Sequence, residues 1–403
     1  MLRALLFSAL LALAASAAAQ DKPQTVRPEV GKPLQAAIDL LKQKRGKEAL
    51  ARAREAQAVP DKTPYETYLA ARVLGQAAAL AGEAAVAASA LETAASSTAA
   101  PEAERRPLLG GAAGQYYAMK EYTKAAALAK RYLDSGGTDK SIRTLYVQSL
   151  YLSNQFGAAA REAAADVEAE EHAGKTPTEE QLQLLANAYL QSKDNLLYGR
   201  AMEKLLAYYP KRDYWLNVVR SVTSRTGFNE RLAIDLGRLK LETGTMRGAQ
   251  EYIELAQLTL IEGFPAEAVK IIDKGYAAGM LGVGPEADRH RRLKDLAAKN
   301  LAEDRKNLAQ ESKTASTDGK LLFNDGFNYV LLGKTEQGLA MMQKGIRTAG
   351  TFTRPDHARL QLGYAYYLAG QNDKAIETFK AVQGTDGAGA IGRLWVIRLT
   401  RPS

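Results

Sequence analysis

Three glycines near the C-terminus, Gly387, Gly389 and Gly392 in the run GAGAIG, match the spacing of a dinucleotide-binding phosphate loop letter for letter. Such a loop works because it follows a strand, opens a helix and is trailed by an acidic residue about 20 positions on that holds a ribose. Here a helical pattern precedes the run, and no acidic residue stands between it and Ser403, so a flexible loop is expected in place of a nucleotide site. His172, His290 and His357 stand far apart, and none has a second histidine at metal-ligand spacing. Each is expected at a surface or a helix end. The chain has no cysteine, which excludes disulfides, thiolate metal sites, a cysteine nucleophile and a lipid anchor on cysteine. Carboxylates are spread over helix faces among lysines and arginines, and no pair stands out in apolar surroundings for acid–base work. No catalytic centre, metal or cofactor is therefore expected. The basic cluster Arg289, Arg291, Arg292 and Lys294 is interleaved with Asp288 and Asp295. It reads as a solvated face or, alternatively, as a contact for an anionic glycan or lipid.

What the sequence does repeat is a packing pattern. Leu362 and Gly363 are followed by Tyr366, Gly370, Ala375 and Phe379, and the same offsets fit Leu74, Gly75, Gly82, Ala87 and Leu91, and again Gly326, Tyr329, Gly333, Gly338 and Met342. A small residue on one helix lets a small residue on the next approach closely, and the glycine between them closes the turn. Each unit is thus a helical hairpin. A lone hairpin cannot bury its apolar face, so such units stack. Alanine runs such as Ala77 to Ala79 and Ala84 to Ala90, with Val86 and Ser89 inside the latter, are expected to be tightly packed helix.

This pattern resembles the tetratricopeptide repeat. Taking the first small residue as a ruler, units begin at Ala37, Gly75, Ala113, Val147, Ala186, Ala256, Gly326 and Gly363. The single steps are close to the family's period of about 34 residues. Two double-length gaps remain. The first holds a degenerate unit with Trp215 and Leu216 on its first helix and Ala233 on its second; the second, Glu286 to Lys313, is strongly charged and reads as one long solvated helix or a helical pair.

The resemblance implies an all-α fold, a right-handed α-solenoid whose first helices line a concave groove for protein ligands. Carried onto this chain, the groove stripe holds Gln76, Gln148, Asn187 and Gln257, then Tyr117, Tyr151 and Tyr367, with Phe323, Phe327 and Tyr364 making its C-terminal end aromatic. Amides can pair with the donors and acceptors of an extended backbone, and aromatics can hold side chains. The plainer reading is a half-exposed face of polar and packing residues. The family's carboxylate-binding clamp has only Arg72 and Asn187 as counterparts, far apart in sequence.

Residues 1–19 carry Arg3, an apolar run from Ala4 to Ala15 and small residues Ala17 to Ala19, the pattern of a cleaved secretory leader. A periplasmic or secreted, soluble protein is expected, without a membrane span. Next come an extended lead-in over 20–32, repeats over 33–285, the charged segment 286–318, two units over 319–385, and a loop with a terminal amphipathic helix over 386–403. That helix, with Ile391, Leu394, Trp395 and Ile397 on its apolar side, is read as a cap for the open end of the stack, or alternatively as a docking helix. The formal net charge is +9, and Arg3 in the leader accounts for one of those charges. Export argues against nucleic acid and leaves envelope proteins as the expected partners, with anionic glycan or lipid as the alternative.

Overall fold

The computed structural model describes residues 25–400 other than 225, 312–317, 349 and 351. The leader lies outside them. The described residues form α-helices and one 3₁₀ turn, with no strand among them, and they divide into two compact units, residues 25–177 with 184–194 and residues 178–183 with 195–400.

The first unit contains α1 (Pro28–Lys42), α2 (Gly46–Ala58), α3 (Pro64–Ala81), α4 (Ala84–Ser96), α5 (Glu102–Ala118), α6 (Tyr122–Asp134), α7 (Lys140–Leu152), α8 (Phe156–His172) and most of α9 (Glu179–Gln191). Helix starts inside the stretch expected to be extended, because Pro28 at the first helical position is already set to a helical φ. Glu66 is the anchor of this end. It closes a capping box with Thr63, its buried carboxylate accepts from the Arg27 backbone N–H at 2.8 Å and from the Arg27 side chain, and Arg27 first, then the backbone donors, hold its pKa down to about 2.

Every ruler residue in this unit, Ala37, Gly75, Ala113, Val147 and Ala186, is buried, as are Ala49, Ala87, Ala125 and Ala159 on the paired second helices. The burial follows from close approach. A Cβ on Gly75 would lie 2.7 Å from Leu91 Cγ of α4.

The second unit comprises α10 (Asn195–Tyr208), α11 (Arg212–Thr223), the 3₁₀ turn Glu230–Leu232, α12 (Ala233–Glu242), α13 (Ala249–Ile261), α14 (Pro265–Ala277), α15 (Ala287–Glu311), α16 (Gly319–Leu331), α17 (Thr335–Arg347), α18 (Pro355–Leu368), α19 (Asn372–Lys380) and α20 (Ala388–Thr400). Three pairs keep the ruler: Ala256 and Ala268 are buried in α13 and α14, Gly326 and Gly338 in α16 and α17, Gly363 and Ala375 in α18 and α19. In the α16–α17 pair backbone approaches backbone, since a Cβ on Gly326 would lie 2.7 Å from the Gly338 carbonyl oxygen. The Asn328 amide of α16 donates to Gly263 O, the turn of the preceding hairpin, at 3.0 Å.

The hairpin turns follow one rule that composition hides. The residue seven places after each ruler position is left-handed in all eight units: Lys44, Gly82, Lys120, Asn154, Lys193, Gly263, Gly333 and Gly370, with φ between 60° and 85°. Glycine is the low-strain choice, yet lysine or asparagine fills four of the turns.

The degenerate unit between the ruler positions departs from the hairpin. Trp215 is buried, but Ala233 is exposed, and α11 packs on α10 while α12 packs on α13. Gly237, with the Leu255 side chain against it, provides the close approach in α12. The charged segment is a single 25-residue helix, α15. The GAGAIG run is also different from the expected flexible loop. Gly389 and Gly392 are buried in the first turns of α20, where a Cβ would lie 2.9 Å from Gly384 O and 2.7 Å from Phe379 O respectively. These glycines are there for helix contact, not for phosphate.

Candidate protein-interaction surface

In the first unit the stripe one place after each ruler residue lies on the first helices, and its side chains are partly or fully accessible. Gln76 and Gln148 are half-buried and Asn187 is exposed. Tyr117 donates its hydroxyl to Gln148 Oε1 at 2.9 Å, so two predicted stripe residues from neighbouring units meet, and Tyr117 packs edge-on against Tyr122 at 5.5 Å. Tyr151 repeats that arrangement one unit on, edge-on against Phe156 at 5.4 Å. The side chains of Gln76, Tyr151 and Asn187 have no hydrogen-bond partner among the described residues, so their polar atoms stay available to a ligand. Arg72 is not available in the same sense. Its guanidinium lies against Glu104, which also accepts from the Tyr68 hydroxyl, so the cation of the would-be clamp is already neutralised.

The second unit corrects the expected aromatic wall. Phe323, Phe327 and Tyr364 are 1, 0 and 5% exposed, and only Tyr367 is half-buried, so three of the four are core and not groove. Two elements from elsewhere in the unit cover Phe327 and Tyr364, while Phe323 meets Phe352 edge-on at 5.1 Å. Arg238 of α12 sits over Phe327 at 5.0 Å and over Tyr364 at 4.9 Å, and Phe264 meets Phe327 edge-on at 4.9 Å. From α20, Trp395 packs on Tyr364 at 5.5 Å and Tyr367 at 5.1 Å, and stacks flat on Phe379 at 5.3 Å. The terminal helix does pack on α18 and α19, but it also reaches α10 and α12. Arg393 grips Glu203 with two bonds of 2.8 and 2.9 Å across 190 residues, and Arg398 donates to Glu242 O. Tyr367 donates to Glu242 at 2.7 Å, and burial followed by that carboxylate pushes its pKa up to about 12. Gln257 stays exposed.

Beneath the aromatic ring system lies an ion cluster that sequence reading missed. The Arg238 guanidinium, 2% exposed, donates to both Glu267 oxygens at 2.8 and 2.7 Å and to Asp235 at 3.2 Å. Burial pushes the Asp235 carboxyl up to about 6, against the pull of Arg238 and, more weakly, of His357. His357 meets Asp386 at 2.8 Å, and Asp386 O accepts from the Asn229 N–H at 2.9 Å. The only available signal was weak: an arginine on a helix whose other face is apolar. All donors of this cluster face acids, so the arrangement is that of a structural core.

The basic cluster of α15 is internally compensated. Arg289 pairs with Glu286 at 3.3 Å, Arg291 with Asp288 at 3.2 Å and Lys294 with Asp273 at 2.8 Å, while Arg292 is exposed. No group of three or more His, Asp or Glu side chains among the described residues is arranged to hold a metal ion, and no helix among them is long and apolar enough to cross a membrane.

No protein-family model and no curated protein matches the chain. Among solved structures it is similar to the C-terminal part of a TPR repeat-containing protein from Cytophaga hutchinsonii, at 16% identity over 66% of this chain and 93% of that one, with a TM-score of 0.31. It is also similar to yeast Tom70, at 13% identity over 92% of this chain and 96% of that one with a TM-score of 0.25, and to the TPR domain of P58(IPK), at 13% over 92% and 97% with a TM-score of 0.24. The repeated register of buried small residues and left-handed turns is that of stacked helical hairpins, as the tetratricopeptide resemblance implies.

Proposed function

We propose that this chain is a noncatalytic, exported scaffold that binds an extended segment of a cell-envelope protein along the first-helix face of its first unit. The observation that carries this is the contrast between the two units. In the first, the hydrogen-bonding side-chain atoms of Gln76, Tyr151 and Asn187, at repeat spacing, have no hydrogen-bond partner among the described residues. In the second, the equivalent aromatics are packed inside the unit, Phe327 and Tyr364 under Arg238, Tyr364 and Tyr367 against Trp395, and Phe323 against Phe352. The location rests on the leader pattern around Arg3 and Ala17 to Ala19. A noncatalytic role is supported by the saturation of the buried carboxylates Asp235 and Glu267 by Arg238.

The test is binding of the envelope partner, identified by crosslinking in cells, to the double variant Tyr151→Ala with Asn187→Ala. Loss of one aromatic and one amide contact should cost about 1–2 kcal/mol, roughly five- to thirtyfold in affinity, with helix content retained. Unchanged affinity would remove the binding face from the first unit. Added salt should alter the affinity little, whereas a polyanion ligand would be lost steeply. Mass measurement of the exported protein should show a chain beginning near Gln20; a full-length cytoplasmic species alone would refute export.

A further inference from the structure

His290 lies in the first turn of α15 and is 4% exposed, yet only half of its polar edge is spoken for. Its Nδ1 accepts the Gly282 backbone N–H at 3.1 Å, which places the proton of the neutral ring on Nε2. That Nε2–H has no acceptor among the described residues. The ring is buried but its Nε2 atom is not sealed from solvent, so water or a ligand entering from the surface can complete it.

The ring lines a half-open pocket of about 450 Å³. Its walls are apolar where Ile253 of α13 meets Met280 and Val283 of the loop after α14, and these two loop side chains are 41 and 59% exposed. The loop is a shaped element. Gly279, Gly282 and Gly284 all have φ between 67° and 81°, and a Cβ on Gly282 would run into the Tyr276 ring. This backbone presents the Gly282 N–H to His290 and turns two large apolar side chains outward. The polar rim is mainly a donor rim. Ala249 and Gln250 line it from the start of α13, which has Gly248 as its N-cap and no side-chain cap. Arg289 lines it too, held by Glu286, the one acid on the rim.

We propose that this pocket is a binding site for a small aliphatic carboxylate, its carboxylate taken by the His290 Nε2–H, the open end of α13 and Arg289, and its stem laid against Ile253, Met280 and Val283. The site is separate from the first-helix face of the first unit and does not depend on it. A pocket of this size with few convergent polar groups is in the range that small ligands use.

The full chain, labelled with ¹⁵N at its three histidines, is titrated with hexanoate, hexanamide and hexylamine while the imidazole resonances are followed. Hexanoate should give a saturable shift at His290 with His172 and His357 stationary, and hexanamide should bind at least about tenfold more weakly. Val283→Asp, an exposed substitution that leaves the fold in place, should weaken hexanoate by a similar factor. His290→Gln serves as a second variant, with folding checked by helix content. The proposal is overturned by no saturable shift up to the solubility limit, by equal shifts at all three histidines, by hexanamide or hexylamine binding as well as hexanoate, or by Val283→Asp binding undiminished.

Discussion

Gly338 on α17 offers the sharpest test of the packing rule, because the same substitution has opposite expected signs at two helical glycines. Elsewhere in a helix interior, Gly→Ala stabilises by about 0.5–1 kcal/mol, since alanine has less backbone freedom to lose. At Gly338 the new methyl would lie inside the contact distance of the Gly326 carbonyl oxygen, 2.7 Å from the Val330 nitrogen and 2.8 Å from Val330 Cγ2. Two of those atoms are backbone, so relief requires the helices of the pair to separate. Overpacking of this kind costs about 1–3 kcal/mol, which exceeds the propensity gain and leaves Gly338→Ala destabilised by about 1–2 kcal/mol. The matched control is Gly114 in α5, where a Cβ would have nothing within 4 Å. Gly114→Ala should therefore gain about 0.5–1 kcal/mol. Urea unfolding followed by circular dichroism reads both. If Gly338→Ala is as stable as the parent, or Gly114→Ala is equally damaged, close helix approach is not what the repeated small residues provide.

The turn rule predicts that Lys120→Gly stabilises by about 0.5 kcal/mol, because the left-handed strain removed exceeds the entropy that glycine adds to the unfolded chain, while Gly333→Lys destabilises by about 1 kcal/mol; urea midpoints check both. For Asp235, whose folded pKa of about 6 lies above the ordinary carboxylate value, the folded state binds the proton more tightly. Its contribution to stability is therefore complete below about pH 4 and is lost as pH rises through 6, so Asp235→Asn should raise the melting temperature at pH 7.5, by up to about 3 kcal/mol in stability, with the gap closing toward pH 4. A constant gap across that range would show that Asp235 is ionised throughout. Trp395→Ala removes the plate between Tyr364, Tyr367 and Phe379 and should cost about 3–5 kcal/mol, seen as a lowered melting temperature with loss of near-ultraviolet aromatic signal.

The repeat register was legible because it is local. Ala37, Gly75, Ala113 and Gly363 advertise close packing by their size alone, and each is buried where the spacing placed it. What could not be read depends on contacts between distant segments. Nothing near Phe327 or Tyr364 in sequence announces Arg238, and nothing near Glu203 announces Arg393, 190 residues on. The same stripe is consequently open at Gln76 and Asn187 and filled at Tyr364, where Trp395 of the later helix α20 folds back onto it. His290 looked like a lone surface histidine because the Gly282 N–H that fixes it comes from a loop whose left-handed glycines have no helical signature.

The central claim, that the first-helix face of the first unit holds a protein, is tested most directly by site-specific photocrosslinking in cells. A photoreactive residue is placed in turn at Gln76, Tyr151 and Asn187 on that face and at Arg52, Lys130 and Arg161, exposed positions on the second helices. The account predicts that the three first-helix positions capture one and the same envelope protein and that the three second-helix positions do not; capture of that protein from the second helices alone would contradict it.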